Sequence, residues 1–180
     1  MNGPERPTRD VAVPVSIFAV LRSKLAEEAG ELPAIHAMHA AGYQAGVDAA
    51  QSLAASGPEA LAGLSERRFW SSLSQFTSRR GWGSLSHSDL HDAVGLLESR
   101  DWVESEGSET QPDATCSFTT GFLSGLLTTI AGGPIAVLEV ACKGRGDDAC
   151  AFAFGSEAAI HELYGQLLDG QELPAALAAL

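Results

Sequence analysis

The stretch Pro134–Phe154 reads PIAVLEVACKGRGDDACAFAF. It opens as an apolar run that ends at Cys142, and Cys150 begins a second apolar run. Between them, Lys143-Gly144-Arg145-Gly146-Asp147-Asp148 carries strong turn chemistry. This order predicts a strand, a tight turn and a second strand, a hairpin that brings Cys142 and Cys150 together. Glu139 lies three residues before Cys142 on the same run. Cys116 heads a separate apolar segment, and these are the chain's three cysteines. Three soft thiolates and one carboxylate suit a four-coordinate zinc ion, which would be structural because its shell is closed. Two other readings of the same residues stay open here. One is a disulfide between Cys142 and Cys150, and the other is three buried cysteines acting as small hydrophobes. The C-x7-C spacing is not a usual finger or ribbon spacing. The start of the chain, MNGPERPTRD, lacks the charged-then-apolar pattern of a secretory signal. A reducing, cytoplasmic compartment is therefore expected, and it disfavours the disulfide.

Working outward, the 180 residues fit one domain that buries roughly 70% of its unfolded surface. Apolar residues make up 45% of the chain, as in ordinary globular proteins. Lys and Arg number 11 against 23 Asp and Glu, a net charge of −12. Such an acidic surface disfavours a nucleic-acid footprint or an anionic membrane as partner. No apolar run approaches the length of a membrane span.

Residues 1–13 read as a mobile arm, 14–170 as a single domain and 171–180 as a C-terminal tail. Ile17, Phe18, Leu21 and Leu25 repeat at helical spacing from Val15 to Ala29, with Gly30 and Pro33 as the stop. A second helix is predicted from after Pro33 to about Ala55, with Gly42 and Gly46 forming a small-residue strip on one face. Ser56-Gly57-Pro58 breaks it, and a third helix is predicted over Glu59–Arg80. Trp82 to about Glu104 reads as two or three short strands, followed by a polar loop over 105–114. Thr115 is a candidate cap for a buried helix from Cys116 to about Ile130. After the hairpin, Ser156 caps a last helix through Leu168. The order predicts an α+β fold, an antiparallel sheet with helices packed on it.

The strings Cys116-Ser-Phe-Thr-Thr-Gly121-Phe-Leu-Ser-Gly125, Val137-Leu-Glu139-Val-Ala-Cys142 and Gly146-Asp147-Asp148-Ala-Cys150-Ala-Phe152 resemble the 4-vinyl reductase domain family. That family includes the sensory domains of phenol- and xylene-responsive transcription activators and a bacteriochlorophyll-biosynthesis protein. Its fold is similar to that of the TRAPP trafficking subunits. Gly42-Tyr43-Gln44-Ala45-Gly46 also resembles the family's early Gly-x-x-x-Gly helix, so the likeness extends over about residues 15–168. It implies zinc as cofactor, held by Cys116, Glu139, Cys142 and Cys150, with Arg145 a candidate supporting neighbour. It also implies an apolar pocket for a small aromatic ligand, with Trp102 of Trp102-Val-Glu-Ser105 as its best candidate contact. Trp82, Phe122 and Phe76 are further candidates for the pocket lining, as are Phe69 and Trp70, although an amphipathic core accounts for such residues equally well. None of His36, His39, His87, His91 and His161 falls in a motif matching the histidine of phenol sensing.

Three functions compete. The first is a stand-alone sensory or binding domain for a small hydrophobic ligand, acting through a separate output protein, since the sequence has neither a P-loop string nor a basic recognition helix. The second is an enzyme or accessory of tetrapyrrole vinyl reduction. The sequence has no Gly-x-Gly-x-x-Gly fingerprint, and His87-Ser88-Asp89 reads as a polar turn rather than a triad, so the balance is against an enzyme. The third is a dimeric interaction module without ligand, with the Gly42/Gly46 strip as a surface for a homodimer.

Overall fold

Strand β4, Cys150–Gly155, is the spine of the sheet, with four of its six residues buried. The computed structural model describes residues 11–55, 64–106 and 116–180. β4 pairs antiparallel with β3, Ala136–Ala141, on one side and with β2, Val94–Ser99, on the other. β1, Ser86–His91, completes the order β1-β2-β4-β3 from the β2 edge. Side chains on alternate β4 positions face opposite ways. Cys150, Phe152 and Phe154 join Leu97 in a cluster with the helices α2, Glu31–Ala55, α3, Glu66–Arg79, and α4, Ser117–Ala131. Ala151 and Ala153 join Val94 and Leu96 in a second cluster with α5, Glu157–Leu168, and α6, Leu173–Ala178. Helices thus cover both faces of an antiparallel sheet, the α+β architecture expected.

α2 and α4 meet through glycine rather than through interleaved side chains. A methyl group placed on Gly42 or Gly46 would sit well inside van der Waals contact of the Phe118 or Phe122 carbonyl oxygen. The reverse holds as well, because Gly121 and Gly125 press on the carbonyls of His39 and Tyr43. Backbone approach this close admits Cα–H···O contacts and leaves no space for a Cβ. The Gly42/Gly46 strip is therefore filled within the chain and is not a free surface for a second copy.

Several boundaries differ from expectation for local reasons. α1, Ile17–Ala29, ends at Gly30, whose φ of 94° suits glycine. α2 then begins at once at Glu31, so Pro33 lies inside its first turn, where a missing N–H costs nothing. α3 starts only at Glu66, after an extended Ser65, so Leu64 lies outside the helix. The expected Glu59–Gly63 portion, the 56–58 break and the Thr115 cap lie outside the described residues. The region from Trp82 to Glu104 supplies two strands, and Trp102 is not on either of them. It precedes a single 3-10 turn, Val103–Ser105. His87-Ser88-Asp89 is part of β1 rather than a turn. Ser156 does cap α5, accepting the Ala159 N–H at 3.2 Å. Residues 171–180, expected as a tail, contain α6, which buries Ala176 and Leu177 against the sheet. Among the described residues, no helix is long and apolar enough to cross a membrane.

Candidate functional site

The four metal-ligand candidates converge. Cys116 is the residue preceding α4, Glu139 lies on β3, Cys142 follows the end of β3 and Cys150 opens β4. All three cysteines are free and buried, and the four donor atoms lie within 4.8 Å of one another. The Cys116 sulfur is 3.9 Å from each of the other two. Two thiolates bound tetrahedrally to zinc at about 2.3 Å lie about 3.8 Å apart, so the separations suit such an ion. Oε2 of Glu139 accepts the Cys116 N–H at 3.1 Å, whereas Oε1 is buried and has no hydrogen-bond partner among the described residues. A buried oxygen left in this state is costly unless a cation takes it. Burial, with Cys142 beside it, pushes the Glu139 carboxyl up to about 8. The neighbouring sulfurs, then burial, push the Cys116 thiol far up. Three thiols and a carboxyl at this density cannot ionise together unaided, and a divalent cation supplies the missing charge. The donor set fits a metal ion.

The turn between the strands is built to hold Cys142. Its carbonyl accepts the N–H groups of Arg145 and Asp147 at 3.0 and 3.1 Å. Its own N–H donates to the Asp147 carboxylate at 2.7 Å. Gly146, at φ 107°, lets the chain double back between them. Arg145 supports the site indirectly, by donating to the same Asp147 oxygen from Nη2 at 3.0 Å and to the Val140 carbonyl at 3.2 Å. Lys143 ties the turn to the end of β2 through the Arg100 carbonyl at 2.6 Å.

A second cluster is centred on Trp82. Its ring is stacked with Phe122 at 5.3 Å and Phe118 at 5.7 Å, and lies 6.1 Å from Trp102. Phe18 of α1 closes the group from outside, 5.5 Å from Trp82 and 5.4 Å from Phe118. Trp102, Trp82 and Phe122 are therefore brought together. Phe76 is not among the ring partners of Trp82 and instead lies under Arg80, whose guanidinium carbon is 3.7 Å from the ring centre. Phe69 and Trp70 form a separate group, in which Trp70 stacks on His87 at 4.1 Å beside a surface groove of about 610 Å³.

Trp102 is fully buried and its indole N–H donates to Thr119 Oγ1 at 2.6 Å. That hydroxyl donates to Glu104 Oε2 at 2.5 Å, while Glu104 also accepts the N–H groups of Phe118 and Thr119 at 3.0 and 2.7 Å. These amides belong to the first turn of α4, so Glu104 satisfies orphan donors and complements the helix dipole. Burial nevertheless pushes its carboxyl up to about 7, against the pull of those hydrogen bonds. The sequence alone does not single out Glu104, Thr119, Phe18 or Phe118. Glu104 and Phe118 sit inside strings quoted for the family likeness, but nothing in their spacing distinguishes them.

Residues 100–156 match the vinyl-4-reductase domain family. The chain carries a vinyl-4-reductase domain. The matched segment holds all four metal-ligand candidates together with Trp102, Glu104 and the whole of the aromatic-bearing α4. No curated protein sequence matches the chain. Among solved structures, the phenol-responsive sensory domain of the transcription activator PoxR, determined with phenol, is similar with a TM-score of 0.72 and 16% identity, over 92% of this chain and 85% of that one. A vinyl-4-reductase family protein from Methanocaldococcus jannaschii gives 0.54 at 15% identity, over 81% and 82%. A trafficking protein particle complex subunit 3 from Naegleria fowleri, covalently bound to palmitic acid, gives 0.65 at 10% identity, over 78% and 91%. At these identities the likeness establishes a shared fold, the TRAPP-like α+β fold expected.

Proposed function

We propose that this vinyl-4-reductase-type chain is a small-molecule sensing domain whose ligand is a small hydrophobic compound, aromatic in the favoured case, bound at the cluster around Trp82. The observation that carries the reading is the convergence of Phe18, Trp82, Trp102, Phe118 and Phe122 from four separate segments of a fold shared with a phenol-sensing domain. Aromatic rings supply large apolar contact area with directional preference, which suits recognition of a flat ligand. In this reading Cys116, Glu139, Cys142 and Cys150 hold a zinc ion. The zinc fixes α4 to the β3–β4 hairpin as a closed structural site and so holds Phe118 and Phe122 in place. Trp102 and Glu104 then orient the first turn of α4 through Thr119. The expectations of a homodimer, a cytoplasmic location and a separate output protein are kept. With Gly42 and Gly46 closed by α4, a dimer contact falls on another face.

The test is a thermal-shift and calorimetric screen of the full chain against monocyclic aromatics, fatty acids and vinyl-bearing tetrapyrroles, after native mass spectrometry has fixed the metal content. A ligand at 100 times its Kd adds about 2.7 kcal/mol, a rise in Tm of roughly 5–10 °C for a domain of this size. A saturable aromatic binder is the expected result. Saturation by none of the panel overturns the sensing reading, and turnover of the tetrapyrrole with a nicotinamide cofactor replaces it by the enzymatic one.

A further inference from the structure

We propose that the Phe18 ring occupies an aromatic slot that a single-ring apolar molecule takes in its place, so that binding releases α1 from the body of the domain. This rests on the ligand reading above and adds where the ligand enters and what moves. The slot is formed by Trp82 and Phe118, both of which Phe18 meets at steep angles, 59° and 64°. Behind them Trp82 lies nearly parallel to Phe118 and Phe122, at 18° and 10°. Tilted and edge-on contacts are favourable aromatic geometries, and a free ring makes them as well as a tethered one. The side chain of phenylalanine is a benzyl group, so toluene reproduces it with one hydrogen in place of the backbone bond.

The tether is the weakly held part of the molecule. Phe18 is half-buried, and Val20 and Leu21 are 52% and 45% exposed. Val11 and Val13, which lead into the helix, are 81% and 56% exposed. Ser16, at the N-cap, makes no side-chain capping bond. Arg22 is the buried residue of α1, and its charge, which attracts the Glu104 carboxylate, is the mooring that displacement must part. At the other end a single residue, Gly30 at φ 94°, joins α1 to α2. Few buried contacts and a one-residue glycine joint are the features of an element that opens locally while the rest stays folded. The other rings stand on α4 and on the connections flanking the first two strands, and α4 is locked to α2 through glycine. Displacement therefore falls on α1. The slot asks for no polar group, because the nearby indole N–H of Trp102 is already committed to Thr119.

The test compares wild type with Phe18→Ala and Phe18→Leu, using toluene as probe, calorimetry for affinity and hydrogen–deuterium exchange of the whole chain for motion. Phe18→Ala is expected to bind toluene at least about tenfold tighter than wild type, with Phe18→Leu between them. Saturating toluene should speed exchange over residues 17–29 of wild type by about tenfold and leave α4 and β4 unchanged. Retained protection of α4 and β4 in the two variants shows that they are folded. Equal affinities with α1 exchange unmoved overturn the slot and leave the sensing reading standing. Binding by Phe18→Ala but not by wild type supports the slot and overturns sensing at this cluster. Binding by neither overturns both.

Discussion

The metal-ligand cluster and the aromatic cluster share α4, yet they are encoded in opposite ways. Cys116, Glu139, Cys142 and Cys150 must present particular atoms at particular separations, and the chain achieves this with a hairpin, a tight turn and a residue at a helix start. The rings around Trp82 need only be large, apolar and within about 6 Å of one another. They come from α1, the α3–β1 connection, the segment after β2 and α4. Coordination chemistry constrains spacing, whereas apolar packing constrains volume, and only spacing is visible along a sequence.

The sharpest way to break this contrast is to remove the metal-ligand cluster's integrity. Cys142→Ser, or treatment with a strong chelator, should abolish metal retention by native mass spectrometry and cost about 4 kcal/mol or more. The accompanying fall in Tm should be roughly 10 °C. An unchanged melt would mean that the hairpin holds itself and that the three cysteines serve as ordinary core. Next in size is Gly46→Ala, whose methyl would be forced against the Phe122 carbonyl. Overpacking at a backbone contact should cost about 3 kcal/mol by denaturant titration. A neutral result would show that α2 and α4 have slack, and that the aromatic cluster they carry is softer than the close contact implies.

A third comparison uses pH. Glu104 is held protonated up to about 7, above the ordinary carboxylate value of 4.5. The unfolded chain therefore releases this proton first as pH rises, and the contribution of Glu104 to stability falls between pH 4.5 and 7. The metal cluster has the opposite sense, since acid returns protons to its ligands and weakens metal binding. Glu104→Gln should remove the first slope and leave the second, as read from chemical denaturation across that range. If the slope from pH 4.5 to 7 is the same in both proteins, the carboxyl is not the titrating group. The smallest effect expected is that of Asp147→Asn, which keeps the fold but weakens the bond to the Cys142 N–H. It should lower metal affinity about tenfold with little change in Tm, and a loss of stability without loss of affinity would assign Asp147 to the turn alone.

The hairpin, the four donors, the buried α4 and the Ser156 cap are legible because each rests on a local rule: turn chemistry, donor spacing, apolar composition, or a hydroxyl accepting the N–H three residues on. Trp102 is legible only through family likeness, and its partners are not legible at all, since Thr119 lies 17 residues away. The reading of His87-Ser88-Asp89 as a turn fails because β1 is an edge strand with polar residues, made a strand by pairing with β2 rather than by its own pattern. Pro33 misleads for a different reason: proline stops a helix from within but is harmless in a first turn. The helix at Leu173–Ala178 is short and takes its stability from burial of Ala176 and Leu177, so its alanine-rich string resembles a tail.

The glycine contact between α2 and α4 has a mechanical consequence. Helices that meet through side chains can slide or roll a little by exchanging rotamers at low cost. Here peptide carbonyl groups abut Gly42, Gly46, Gly121 and Gly125, and glycine has no rotamer to exchange. The pair behaves as a keyed shaft, engaged at four points along its length. Any push delivered at Cys116, at the head of α4, is carried to α2 without being absorbed on the way.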